Sequence, residues 1–338
     1  MIRVLFVPAD RAGCGEYRIN QVFSQYMYTD SEIDPTWTFN KILKCKADVV
    51  FTRGLVKKEA FEALLKYREH EKCKVVIDYD DDVISDKSDL PKFSKILRGM
   101  ETKENRKAMK ELLSDVADLV TVSTEHLKIV MSEIYPADRI RVIPNYLSIR
   151  DWAYDRTAAI PLERSFYYQG SSTHYDNESK SYGDFDIPLA KYLQNKRVIY
   201  QGDDCPWFLD SAISVPWVPI SRYSRCCYEN SRYAQFTLAP LCPCKFNRSK
   251  SDLKYLESCA IGRVCLCSSF EGSPYSGADE LQKIPYGCSI SDIDRIVSNA
   301  YEQYSEILEH QYQYLNDRWL DNNIDKYTEL FKEAMDVR

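Results

Sequence analysis

Short apolar runs alternate with longer amphipathic stretches along the chain. In the first half the runs are IRVLFV (Ile2 to Val7), ADVVFT (Ala47 to Thr52), KVVIDY (Lys74 to Tyr79), ADLVTVS (Ala117 to Ser123) and RIRVIP (Arg139 to Pro144). They are rich in Val and Ile and continuous rather than alternating, the pattern of parallel strands covered on both faces. Between them, KKEAFEALLKYREHEK and NRKAMKELLSDVA repeat their apolar residues at helical spacing. Strand and helix in alternation predict a doubly wound α/β domain.

A polar, aromatic stretch after Pro144-Asn145 interrupts this pattern, which then restarts as RSFYYQGSS, KRVIYQGDD, ISVPWVPI, AQFTLAPL and GRVCLCSS. The reading is a first domain over 1–150, a second over 151–315, and a terminal helix over 316–338 that packs back on the first domain. Helical pattern runs from Ser291 to Glu309 and again from Asn316 to Met335. Ligands of open α/β sheets bind outside the carboxyl ends of the strands, so two such domains facing each other would bring their post-strand loops to one cleft.

Composition narrows the function classes. A chain of 338 residues suits two domains of about 150 residues each. The net charge of −6 gives no overall attraction to DNA or an acidic membrane. Apolar runs stay at strand length, short of a membrane span, and MIRVLFVPADRAGCG has no cleavable signal pattern. The expectation is a cytoplasmic protein, a monomer or weak homodimer, with its twelve cysteines reduced. Cys242-Pro-Cys244 and Cys265-Leu-Cys267 could in principle supply four thiolates to zinc, but each pair is separated by one residue rather than two. They read better as small buried side chains, and no metal site is assigned.

Four loops carry candidate chemistry. PADRAGCGEYRINQ follows the first strand: Gly13 and Gly15 permit close backbone approach, and Tyr17 and Arg18 open a helix whose free amides would favour an anion. Position 18 is Arg, so the spacing is not the G-x-G-x-x-G of a dinucleotide fold. After the third strand, DYDDD delivers Asp78, Asp80, Asp81 and Asp82 to one place. Carboxylates there could orient hydroxyls, take a proton, or stabilise an oxocarbenium-like centre. A rival reading as a D-x-D site for a divalent cation is less favoured, and part of the run could be structural. QGSSTHYDN places Gly170, Ser171 and His174 after the first strand of the second series, suited to phosphates or sugar hydroxyls.

The most specific stretch is KFNRSKSDLKYLESCAIGRVCLCSS. Ser249 or Ser251 could cap a helix running from about Asp252 to Ala260 and ended by Gly262. Lys245, Arg248, Lys250 and Lys254 surround its start, where the dipole already favours negative charge. Glu257 lies farther along, placed to accept hydrogen bonds from ribose hydroxyls.

These segments, with RIRVIPNYLSI and DRWLDNNIDKYTELF, resemble the retaining GT4-type glycosyltransferases of GT-B fold, in particular divergent bacteriophage-type members. The resemblance implies two Rossmann-like domains facing a central cleft. The first receives the acceptor, with Tyr17 and Asp78 as contacts; Asp80, Asp81 and Asp82 there, with His174 from the second, are the candidate catalytic groups. The second binds a nucleoside diphosphate sugar, a UDP-sugar being favoured, through Gly170, Ser171, Val218, Arg248, Ser249, Lys250, Ser251 and Glu257, assisted by Gly15 and Arg18. No cofactor is required by this reading. Many relatives carry a Glu where this chain has Ser249, and the usual basic pair after the second domain's first strand is replaced by the His174 loop. Two rival classes stay open: a non-catalytic nucleotide or glycan binder, and a nucleic-acid-binding module using the Arg/Tyr mixture of SRYSRCCYENSRYAQ. With a viral gene, the acceptor would be a hydroxymethylated pyrimidine in phage DNA.

Overall fold

Both apolar series form parallel sheets. The computed structural model describes residues 2–8, 13–26, 46–85, 103–155, 160–161 and 163–337. In the first sheet β1 (Val4–Val7), β2 (Val49–Arg53), β3 (Lys74–Tyr79), β4 (Leu119–Val122) and β5 (Ile140–Val142) lie side by side in that order. One face packs Val50, Val75 and Ile77 against Phe61, Leu64 and Met109 of the crossover helices Lys58–Glu71 and Lys103–Val116. The other packs Phe6, Val49 and Phe51 against Tyr327, Leu330 and Phe331 of the Ile324–Asp336 helix. Burial on both faces is why these strands carry continuous apolar runs.

The second sheet contains β6 (Ser165–Gln169), β7 (Arg197–Gly202), β8 (Ile213–Pro216), β9 (Phe236–Ala239), β10 (Val264–Ser269) and β11 (Lys283–Pro285). Its order is β11-β10-β9-β6-β7-β8, so the chain reverses direction across the sheet between β6 and β9. A crevice opens at the carboxyl ends of strands at such a reversal, the standard ligand position of doubly wound sheets. The three-residue β11 is too short to stand out as an apolar run. Cys265 and Cys267 are buried on β10, with their thiols pushed up by desolvation.

The C-terminal helical pattern resolves into three helices rather than two: Ile290–Glu302, Tyr304–Asn316 and Ile324–Asp336. The first starts on a capping box between Ser289 and Asp292, and Gln303 leaves helical geometry with φ −106° and ψ 23°.

Candidate active site

The loops after the strands of the two sheets touch each other. Lys250 Nζ donates to Asp81 Oδ1 at 2.9 Å, Asn145 Nδ2 to Ser251 Oγ at 2.6 Å, and Thr124 Oγ1 to the Ser249 carbonyl at 3.0 Å. Tyr17 Oη donates to Glu257 Oε1 at 2.6 Å, linking the helical turn after β1 to the second domain. The sequence reading put Tyr17 on the acceptor side; its hydroxyl meets the residue assigned to the donor.

The basic stretch is built around two helices, Lys245–Ser249 and Leu253–Ile261. Asp252 occupies the N-cap of the second without a side-chain cap bond, and Gly262 ends it in the left-handed region at φ 71°. Neither Ser249 nor Ser251 caps it. Ser249 is buried, with its hydroxyl turned to the Lys245 carbonyl, and Ser251 holds Asn145. Asp252 is instead clamped by both Nη2 bonds of Arg318, at 2.7 and 2.8 Å, and Arg318 Nε donates to the Asn145 carbonyl at 3.2 Å, which ties the start of the helix to the segment after β5.

The cations around this helix start differ in what they already hold. Lys250 pairs with Asp81 across the cleft. Lys254 donates to the Gln169 carbonyl at 2.6 Å and lies over the Tyr168 ring. Lys245 lies 3.8 Å from Glu133. Arg248 is exposed and has no ion-pair partner among the described residues; its stem lies where a Cβ on Gly272, at φ 80°, would press within 3.2 Å.

One turn into the helix, Glu257 is 3 % exposed. Its carboxylate accepts from Tyr17, from Gln169 Nε2 and, at 3.4 Å, from Tyr223 Oη. Burial pushes its pKa up, and these donors and Lys254 offset only part of that rise. Tyr223 and Gln169 escaped the sequence reading because a tyrosine on an amphipathic helix and a glutamine ending a strand look like ordinary packing. Trp217 lies with its ring centroid 5.5 Å from that of Tyr223, and Val218 packs partly buried in the same cluster.

Gly170 and His174 occupy the loop after β6, at the sheet's reversal. A Cβ on Gly170 would lie 2.3 Å from Tyr168 Oη, so a larger residue there would have to push that buried ring aside. Ser171 Oγ meets Thr173 Oγ1 at 2.6 Å. His174 Nδ1 bonds Asp184 Oδ2 at 2.6 Å, an aspartate the sequence reading missed because its partner is ten residues away across a polar loop.

The acidic run resolves differently from expectation. Asp78 is fully buried, bonding Arg18 Nη2 at 2.6 Å, Arg18 Nε at 3.0 Å and Thr121 Oγ1 at 2.6 Å. Arg18 also donates to the Ile143 carbonyl and to Asn145 Oδ1. The expected acceptor contact by Asp78 and donor contact by Arg18 are therefore corrected: each is the other's buried counter-ion, tying the turn after β1 to β3 and to the segment after β5. Gly15 sits at the N-cap of the Glu16–Asn20 turn that carries Arg18 and is buried with it. Asp82 is buried in a local turn, accepting from the amides of Ile84 and Ser85, so its expected catalytic role has no support in its geometry. Asp80 pairs with Arg53 at 2.6 Å. Burial pushes the Asp80 carboxyl up, but Arg53 and a hydrogen bond from Cys14 outweigh it and hold it below the usual range. Cys14, Asp80 and Asp81 offer ligand atoms within 4.8 Å of one another, although Arg53 and Lys250 already neutralise both carboxylates. Asp81 alone of the run reaches the second domain in these contacts.

No protein-family model matches the sequence, and no curated protein matches it in sequence. Solved structures do match in three dimensions. Anabaena HepE in complex with UDP and glucose aligns with a TM-score of 0.65 at 9 % identity, covering 97 % of this chain and 98 % of that one. A DNA-modifying β-glucosyltransferase aligns at 0.58 and 13 % identity, covering 99 % and 100 %. The lipopolysaccharide outer core galactosyltransferase WaaB aligns at 0.55 and 13 %, covering 99 % of each chain. The fold is GT-B. At these identities the likeness speaks for the fold, and the GT-B frame accounts for two parallel sheets meeting through their post-strand loops. Among the described residues, no helix is long and apolar enough to cross a membrane.

Proposed function

We propose that the chain is a glycosyltransferase that moves a sugar from a nucleoside diphosphate sugar, UDP-sugar being favoured, to an acceptor hydroxyl. One arrangement carries the reading: an uncapped helix start, flanked by Arg248, Lys250 and Lys254, with a buried carboxylate, Glu257, one turn further along beside the reversal of the second sheet. Free helix amides and a cationic rim suit a diphosphate, and a buried carboxylate suits paired ribose hydroxyls. HepE has been solved with UDP-glucose, which supports a uridine donor on this fold.

In this reading the diphosphate takes Lys250 from Asp81, and ribose hydroxyls replace part of the Tyr17, Gln169 and Tyr223 cage on Glu257. The bond from the anomeric carbon to the diphosphate oxygen breaks, the acceptor oxygen bonds to that carbon, and the acceptor's hydroxyl proton passes to the departing diphosphate. Arg248, Lys250 and helix amides stabilise the departing charge. The freed Asp81 carboxylate is the first-domain group best placed to orient the acceptor hydroxyl. Retention at the anomeric carbon follows the sequence resemblance, and NMR of the product's anomeric proton tests it. The fold match to a DNA-modifying glucosyltransferase favours hydroxymethylated duplex DNA as the first acceptor to try.

The deciding experiment measures UDP release and thermal stabilisation with a panel of UDP- and GDP-sugars. Arg248→Ala and Lys250→Ala should lower turnover, and Glu257→Ala should chiefly raise the donor KM. Absence of stabilisation by any nucleotide sugar would leave a fold without this function.

A further inference from the structure

The His174–Asp184 pair has a geometry that the donor pocket alone does not require. Gly183 adopts φ 65°, and a Cβ there would lie 2.0 Å from the His174 carbonyl; this turn returns the chain so that Asp184 N donates to that carbonyl at 2.8 Å. Asp184 is 2 % exposed, and its two oxygens do different work. Oδ1 accepts from the Cys242 amide at 3.1 Å, in the loop after β9, and from Asn247 Nδ2 at 2.6 Å, on the Lys245–Ser249 helix that follows it. Oδ2 faces His174 Nδ1. An aspartate that accepts on both oxygens makes Nδ1 the protonated ring nitrogen. Nε2 is left with a lone pair and no hydrogen bond among the described residues.

We propose that Asp184 is a positioning residue that fixes His174 as the Nδ1–H tautomer, so that Nε2 accepts a hydrogen bond from a hydroxyl of the donor's sugar instead of donating one to its diphosphate. The proposal rests on the donor-pocket reading above. The charged groups around the imidazole are Asp184 from its own loop and Lys250 and Lys254 from the loop and helix after β9. Burial lowers the pKa of His174, and the two lysines add to that against Asp184, so the ring is neutral at pH 7. Phosphate contacts fall to the lysines; a neutral acceptor matches a hydroxyl.

Asp184→Asn tests the assignment without loosening the loop. Its carboxamide oxygen must stay with the two donors, Cys242 N and Asn247 Nδ2, so the NH2 turns to His174. The imidazole then accepts at Nδ1 and carries its proton on Nε2, the reverse polarity. Affinities for UDP-glucose and UDP would be measured by calorimetry from pH 5 to 8 on wild type, Asp184→Asn and His174→Ala. The expected result is a loss of about five- to tenfold in UDP-glucose affinity in both variants, with UDP affinity unchanged. Wild-type affinity for UDP-glucose, whose diphosphate diester does not titrate in this range, should weaken as acidification protonates His174, and Asp184→Asn should lose this trend. Equal loss for UDP and UDP-glucose, an unaffected Asp184→Asn, or tighter wild-type binding on acidification would each overturn the proposal. Failure of wild type to bind UDP at all would overturn the donor pocket with it.

Discussion

The loop after β3 and the stretch after β9 meet through the Asp81–Lys250 pair, and both are rich in charge. They differ in what the folded chain leaves available. After β3, Asp78 is consumed by Arg18, Asp80 by Arg53 and Asp82 by its own turn, so that Asp81 is the member that crosses to the other domain. After β9, Arg248 is exposed, the helix start has no side-chain cap, and Lys250 is held by an exchangeable, half-exposed carboxylate. A cluster of like charges becomes a binding site only through the members that folding leaves without a permanent partner, and the basic loop keeps more of them.

The sharpest way to break this comparison is to cut the partnership that makes the acidic loop structural. Arg18→Ala leaves the Asp78 carboxylate buried without its counter-ion and should destabilise the fold by about 3–5 kcal/mol, visible as a marked fall in Tm. Asp78→Ala should do the same. An Arg18→Ala protein that kept its Tm and lost only donor affinity would restore Arg18 to the cleft.

Glu257→Gln comes next. The amide keeps the shape but loses the charge and one acceptor oxygen, so donor affinity should fall by about tenfold to a hundredfold. Tyr17→Phe separates the ligand role from the packing role: it removes the 2.6 Å bond to Glu257 and leaves the ring against Trp152. If Glu257→Gln lost stability but bound UDP-glucose normally, Glu257 would be an anchor for Tyr17 and nothing more.

How much of this was legible beforehand follows the range of the interactions. Strand identity is written locally: β3 falls on Lys74–Tyr79, and most of the apolar runs contain strands buried on both faces, where apolar residues predominate, while β8 is a largely exposed exception. Gly262 was readable for the same local reason, as a left-handed helix end. Partnerships such as Arg18 with Asp78, 60 positions apart, or Tyr17 with Glu257, 240 apart, are set by which strands become neighbours, and residue type cannot announce them. A buried, paired aspartate and a cleft aspartate have the same one-letter code. Asp184 hid behind the same limit, with its role decided by the turn at Gly183 and by a loop from β9.

Arg248→Ala should have a moderate and selective effect. The side chain is exposed and unpaired among the described residues, so stability should change by less than about 0.5 kcal/mol. Donor affinity and turnover should fall several-fold, more steeply at low ionic strength, where a solvent-accessible cation is less screened. Equal effects at low and high salt would mean that the side chain acts by packing on Gly272.

Asp81→Asn carries the smallest expected effect and sharpens the comparison most, because it separates the two sides of the cleft by sign. Asp81 holds Lys250 at 2.9 Å, with side chains 34 % and 25 % exposed, so the bond is wet enough to exchange. A donor diphosphate must displace that carboxylate to reach the ammonium. Removing the charge lifts the competition, and UDP affinity should improve by about two- to threefold, since a partly exposed ion pair contributes under about 1 kcal/mol. Turnover should fall in the same variant if the displaced carboxylate then serves the acceptor. Better binding with slower transfer is a combination that neither a purely structural Asp81 nor a purely donor-binding one produces; titration with UDP and initial rates of UDP release on the same preparation measure both halves.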